Sequence, residues 1–299
     1  MFKIKQFDDY QVTKIEKGWS GDQKYLLEKG SEKLMLRISD ISKYEKKRHE
    51  FEVIKKLEQM GIETSKAVEF GLDDEETHVW MTLTWIEGQD LRDEIGKFSD
   101  SQLYDFGIEA GKVLRDIHQL EIPEPEESWE VHFNKKIDRK LKVYANCELK
   151  IPGGEAFLSY IEENRHLLTG RPQCFHHGDY HNGNMILTPD EKVIPIDFNR
   201  LDIGDPWEDF NRIVFCKDVS PAFASGRVDG YFDGNIPDEF WRLLALYISS
   251  NAISSVPWAI PFGEGEIEFM MKQSMGILED YDNMKTYVPS WYKGGSRSG

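Results

Sequence analysis

A chain of 299 residues with 54 acidic against 37 basic side chains, a formal charge of −17, is long enough for two cores and too acidic for non-specific binding to nucleic acid or an anionic membrane. That balance suits a small, cationic partner. With 39% hydrophobic and 12% aromatic residues the chain reads as folded and globular, without an unbroken apolar run near the roughly eighteen residues of a membrane span or a signal-peptide core, so a cytoplasmic protein is expected.

Residues 1 to about 40 read as strands and turns. Tyr25 and Leu27, then Leu34, Leu36 and Ile38, alternate with polar positions, while Gly18-Trp-Ser-Gly-Asp22 and Glu28-Lys-Gly-Ser31 supply turns. The first turn, with Ser20 in it, can lay backbone N–H groups over phosphates. A helix follows, with Ser42-x-x-Glu45 as its expected capping box, an apolar stripe of Phe51, Ile54 and Leu57, and a stop at Gly61. Glu50 falls inside that stripe, where a carboxylate needs a cation. Arg37 is the natural candidate, since it points to the strand face opposite Leu34, Leu36 and Ile38.

Val79, Met81, Leu83 and Trp85 form a further strand, broken at Ile86-Glu-Gly-Gln89. Ser99-x-x-Gln102 caps a helix striped by Leu103, Phe106, Ala110, Leu114 and Ile117, expected to be the core of a larger helical lobe. Residues 121–127 read as a loop and 130–168 as helix with charged faces. Asp205-Pro-Trp-Glu208 reads as a helix start with Asp209 turned inward, Pro237 opens an apolar helix, and a last helix carries Ile267 to Leu278. Residues 294–299, Gly-Gly-Ser-Arg-Ser-Gly, read as a tag or linker remnant. Cys147, Cys174 and Cys216 are widely spaced and suggest neither a disulfide framework nor a zinc site.

The stretch from Cys174 to Phe210 carries the chemistry. His177-Gly-Asp179, Asn184 five residues on, Val193-Ile-Pro-Ile-Asp-Phe198 and Gly204-Asp-Pro-Trp-Glu-Asp209 follow one another. H-x-D-x4-N followed by an apolar run ending in Asp-Phe is the spacing of a kinase catalytic loop and its metal-binding Asp, with Gly-Asp in place of Arg-Asp. Asp179 is then placed to orient an acceptor hydroxyl and take its proton, and His177 to hold the loop by a hydrogen bond. Asn184 and Asp197 offer the hard oxygen donors that Mg²⁺ prefers. His177 and His181 are four apart, but Gly178 and Asn182-Gly183 forbid the helix that a zinc-protease pair requires. Gly107-Ile-Glu-Ala-Gly-Lys112 lacks the spacing of a Walker loop.

His-Gly-Asp-x4-Asn, Ile-Asp-Phe and Gly-Asp-Pro-x-x-Asp, in that order, resemble the aminoglycoside phosphotransferases and protein-kinase-like relatives such as the choline kinases. The resemblance implies an α+β, two-lobed protein-kinase-like fold: a small antiparallel-sheet nucleotide-binding lobe over 1–85, a mostly helical catalytic and substrate lobe over 86–293, and ATP (or GTP) with Mg²⁺ in the cleft. It implies an Arg37–Glu50 pair at the phosphates, backbone contacts from Thr84 and Ile86 to the base, and Asp209 as a hydrogen-bonded support of the catalytic loop. The implied activity is phosphorylation of a small-molecule hydroxyl, first of all on an aminoglycoside-type antibiotic, with resistance as its role. A housekeeping kinase for choline, an amino sugar or an amino alcohol is the alternative; a pseudokinase is a second one, against which intact Asp179, Asn184 and Asp197 argue. Arg200, in Asn199-Arg-Leu-Asp202, would repel a polycation if it turned into the substrate site. A monomer or homodimer without nucleic-acid or membrane partners is expected.

Overall fold

The computed structural model describes residues 4–16 and 21–294. Ser20, on which a phosphate contact is expected, lies outside the described residues, as do the last five residues of the tail. Strands and helices are numbered along the chain. Two compact units form: one runs to Asp90 and includes Asn184–Leu201, the other comprises Leu91–Gly183 and the chain from Asp202.

In the first unit β1 (Gln11–Ile15), β2 (Gln23–Lys29), β3 (Glu32–Asp40), β4 (Ala67–Leu72) and β5 (His78–Thr84) make an antiparallel sheet in the order β1-β2-β3-β5-β4. One face buries Leu27, Leu34, Leu36 and Ile38 with Phe7 and Trp80. Alternation along β3 sends Arg37 and Ser39 the other way, towards α1 (Tyr44–Gln59). Lys24 stands opposite Arg37 in the β2–β3 register.

The expected Ser42–Glu45 box does not start α1. Asp40 at the end of β3 accepts from the Ser42 amide at 2.9 Å, the first turn (Ile41–Lys43) is 3₁₀, and Glu45 pairs with Arg48 instead. A carboxylate two residues upstream takes the Ser42 amide that Glu45 would accept in a capping box, and the Ser42 hydroxyl itself donates to Asp40. The helix stops where Gly61, at φ 80°, turns left-handed and the Ile62 amide reaches back to Leu57.

Residues 184–201 belong to this unit because β8 (Met185–Leu187) pairs with both β6 (Gln89–Asp90) and β9 (Val193–Pro195). Thr64 donates to the Pro195 carbonyl at 2.8 Å. A division at 85/86 that leaves everything later in a helical lobe therefore differs from these units: the chain returns, carrying Asn184 and Asp197 with it.

The second unit holds α2 (Leu91–Glu94), α3 (Asp100–Ile117), α4 (Trp129–Asn146), α5 (Glu155–Asn164), α6 (Ile213–Val219), α7 (Pro221–Phe232), α8 (Asp238–Ala259) and α9 (Glu264–Asp280), with β7 (Cys174–His176) paired to β10 (Asp202–Gly204). The Ser99–Gln102 box caps α3 in both directions. Gly107 and Gly111 of α3 face Gly226 and Gly230 of α7 so closely that a Cβ on Gly226 would stand 2.1 Å from the Tyr104 carbonyl oxygen and one on Gly111 2.2 Å from that of Arg227. Main chain meets main chain along this seam.

Asp205-Pro-Trp-Glu208 does not open an α-helix directly. Its carboxylate accepts from the Trp207 amide, from Arg171 and from the Tyr247 hydroxyl, and the turn runs into a 3₁₀ stretch, Glu208–Arg212, before α6. Glu208 is drawn away from the turn by Lys136 at 3.0 Å. By length and composition Asp238–Phe262 resembles a membrane span, with a mean hydropathy of 1.3, because serines and Asn251 interrupt its apolar residues without adding charge. Yet 67% of its most apolar window is buried, as a core helix requires.

Candidate active site

The charged centre of the first unit is a closed box of two cations and two carboxylates. Arg37 Nη1 donates to Glu50 Oε1 at 2.6 Å and Nη2 to Asp22 Oδ2 at 2.7 Å; Lys47, one helical turn before Glu50, bridges the same two carboxylates. Ser39 adds a hydroxyl to Asp22 at 2.7 Å. All four charged side chains are at most 4% exposed, so the charges must cancel locally. Burial alone would raise Asp22, but the Arg37 guanidinium and the Lys47 ammonium hold it well below the ordinary carboxylate range. Burial likewise opposes the charge on Arg37, which Glu50, Asp197 and Asp22 restore and strengthen.

Asp197 sits beside the box, next to Arg37. Its backbone is left-handed, at φ 67°, a conformation that costs a non-glycine residue on the order of 1 kcal/mol or more and that surrounding structure must enforce. Lys24 Nζ lies 3.4 Å from Oδ2 and Arg37 Nη1 3.4 Å from Oδ1. The Asn184 carbonyl accepts from the Ile196 amide at 2.9 Å, which sets Asn184 beside the start of the Asp197 turn. These two oxygen-bearing side chains suit a hard divalent cation whose remaining ligands are phosphate and water. Among the described residues no group of three His, Cys, Asp or Glu forms an all-protein metal site.

Thr84 ends β5 with its amide committed to the Lys66 carbonyl at 2.9 Å, and Ile86 follows in an irregular stretch.

In the second unit Asp209 is the hub of the loop that carries Asp179. Its carboxylate accepts from the His177 amide at 2.8 Å and the Gly178 amide at 2.9 Å, with His118 Nε2 at 3.4 Å, and it is 2% exposed. Burial would raise its pKa, but the hydrogen bond from His118 and the fields of His176, His118 and His177 carry it well below the ordinary value. Burial in turn lowers His118, with Asp209 opposing, and the other ring nitrogen of His118 meets the Tyr231 hydroxyl at 2.8 Å. The buried His177 ring accepts from the Asp179 amide at 3.3 Å, and Tyr180 donates to the Ala110 carbonyl of α3 at 2.7 Å. The Asp179 carboxylate thus leaves a loop pinned at four consecutive residues. Arg212 Nε lies 3.3 Å from its Oδ1 and His181 Nε2 3.8 Å from its Oδ2.

Asp22, Lys24 and Lys47 in the first unit, and His118 and Arg212 in the second, join these groups without a signal in the motifs. Lys47 sits in the run Tyr44-Glu-Lys-Lys-Arg48, which reads as a solvated face; its place one turn before Glu50 was the available clue.

A family model described as the phosphotransferase enzyme family matches residues 11–244. The chain belongs to this family. The phosphotransferase has the α+β, two-lobed protein-kinase-like fold, and its class of reaction is transfer of a phosphoryl group to an alcohol. No curated protein matches it in sequence. Among solved structures, a thermostable mutant of aminoglycoside phosphotransferase APH(4)-Ia, in a ternary complex with ADP and hygromycin B, superposes with a TM-score of 0.67 at 13% identity over 92% of this chain and 96% of that one. The gentamicin complex of APH(2")-IIa gives 0.62 at 14% identity, over 90% and 93% of the two chains. The GDP complex of aminoglycoside 2'-phosphotransferase-IIIa gives 0.66 at 14% identity, over 89% and 91%. At these identities the likeness speaks for fold.

Proposed function

We infer that this phosphotransferase moves the γ-phosphoryl group of a nucleoside triphosphate, ATP or GTP, onto a hydroxyl of a small molecule. The observation that carries this reading is Asp179, an acidic side chain presented by a loop whose backbone is fixed through Asp209 and His177. Asp179 orients the acceptor hydroxyl and takes its proton as the oxygen attacks phosphorus. Asn184 and Asp197 are the residues to hold Mg²⁺, which when bound neutralises charge on the phosphates. Lys24 is the cation better suited to touch a phosphate: its side chain is 14% exposed, whereas Arg37 is 4% exposed and held by Glu50 and Asp22. Arg37 then serves by fixing the box beside Asp197. The nucleotides bound to structurally similar enzymes support the donor class.

For the acceptor, an aminoglycoside-type antibiotic is supported by the hygromycin B and gentamicin complexes of similar structures and by the overall charge of −17. A housekeeping acceptor is the second reading, favoured by the arginine that lies beside Asp179. Coupled ADP release with Mg·ATP against kanamycin, hygromycin B, choline and glucosamine tests the activity, and turnover with none of the acceptors offered would count against it. Calorimetry tests the metal site: Asp197→Ala should abolish Mg²⁺-dependent ATP binding, and an unchanged affinity would remove Asp197 from that role.

A further inference from the structure

Around Glu208 and Arg212 the second unit collects positive charge. Lys136 and Lys140 project from one face of α4, one turn apart. Lys136 pairs with the buried Glu208 at 3.0 Å. Arg212, at the end of the 3₁₀ stretch that Glu208 begins, reaches Asp179 at 3.3 Å. Among the described residues the acceptor met by the Lys140 ammonium is a hydroxyl, Ser250 Oγ of α8, at 3.4 Å.

An ammonium turned inward normally finds a carboxylate, because desolvation without a counter-charge is costly. Lys140 instead has Lys136, Arg212 and Arg139 close enough to disfavour its charge, and Glu208, the acid that favours it, is already engaged by Lys136. Burial and these neighbours lower its pKa to about 7. An incoming anion would relieve all of these strains at once. A polycation would aggravate them, whatever the sign of the charge summed over the whole surface, since fields from distant charges are screened within about 10 Å in ordinary salt.

The geometry points to an anion subsite formed by Lys140, Lys136 and Arg212, so that the acceptor is a small hydroxyl compound that also bears a carboxylate or phosphate. This rests on the phosphotransfer reading and narrows its substrate class. Lys136 and Lys140 hold the anion, and Arg212, in contact with Asp179, ties the anion's position to that of the hydroxyl being activated.

Two measurements on the full chain test it. In coupled ADP release, matched acceptors of different charge are compared: galactose, galacturonate and galactose 6-phosphate; glycerol, glycerate and glycerol 3-phosphate; choline and kanamycin. An acidic member should lead, the carboxylate and phosphate arms separating the two sources of charge, and Lys140→Gln should raise its KM about tenfold with a smaller change in kcat. A neutral or amine acceptor turned over better than its acidic partners would overturn the subsite while leaving the phosphotransfer reading intact. Independently of turnover, calorimetric titration with citrate and with inorganic phosphate should show binding that Lys140→Gln and Lys136→Gln each weaken about tenfold and that Lys142→Gln, at an exposed position of the same helix, leaves unchanged. Absence of binding by both anions, or equal affinities in all three variants, would also overturn it. Anion binding that depends on Lys140 without ADP release to any acceptor would uphold the subsite and count against phosphotransfer.

Discussion

Asp22 and Glu50 in the first unit and Asp209 in the second are all buried carboxylates, but they are neutralised by different means. In the first, Asp22 and Glu50 are each shared between a guanidinium and an ammonium, so charge is balanced by charge. In the second, Asp209 takes two main-chain amides and a histidine, so charge is spread over dipoles. The ionic box can exchange partners with an incoming ion, because Coulomb attraction does not depend on direction. The Asp209 hub cannot, since two amides three atoms apart along the chain fix the carboxylate's orientation as well as its position. The unit expected to take the nucleotide is thus electrostatically adaptable, and the unit carrying Asp179 is geometrically fixed.

The largest effect should come from the group that the hub presents. Asp179→Asn is expected to lower kcat by about 10²- to 10⁴-fold with an unchanged melt and unchanged ATP affinity. Near-full turnover in steady-state kinetics would overturn its role. Breaking the box should come next: Arg37→Met leaves two buried acids to one ammonium and should cost about 3–5 kcal/mol in urea denaturation, while Arg37→Met combined with Glu50→Leu recovers much of it. Strict additivity would mean that the pair is not energetically coupled.

Asp209→Asn should cost less, about 1–3 kcal/mol, because the amide still accepts one backbone hydrogen bond. The sign of its pH dependence follows from its lowered pKa. Asp209 contributes stability that is present above the unfolded value of about 3.9 and is lost as pH falls through the lower folded value. The difference in stability between wild type and Asp209→Asn should therefore shrink below pH of about 4; a constant difference would assign the carboxylate's low pKa to no net stabilisation. The smallest effect belongs to Lys24. Lys24→Met should weaken ATP binding about tenfold, leave adenosine binding unchanged and alter stability by less than about 0.5 kcal/mol. Equal loss for both ligands would show that Lys24 acts on the sheet rather than on phosphate.

The sequence revealed those parts whose geometry is carried by covalent spacing or by one element's periodicity. His177, Asp179, Asn184 and Asp197 are legible because a short loop and one strand turn separate them. Glu50 and Arg37 are legible because a helix wheel and a strand alternation each turn a charge inward. Asp22, Lys24 and Lys47 in the first unit, and His118 and Lys140 in the second, are each placed by tertiary packing, and nothing in their immediate neighbours announces it. Local competition defeated two helix starts. Asp40 took the Ser42 amide that a capping box would have given to Glu45, and Asp205, fully buried, was held by Arg171 and Tyr247 rather than by a helix end.

The glycine seam between α3 and α7 has a bearing on how this enzyme tolerates change. The Ala110 carbonyl that receives Tyr180 lies next to Gly111, and Tyr231, whose hydroxyl meets His118, lies next to Gly230. The catalytic loop therefore takes its height from the distance between two main chains. Repacking of outward-facing side chains on these helices leaves that distance alone, whereas a single methyl group at Gly111 or Gly226 meets a carbonyl oxygen at little more than 2 Å and must push the helices apart. Substitutions that drift freely at the exposed positions of α3 would be filtered at the four glycines, and the filter would act on the placing of the loop that carries Asp179.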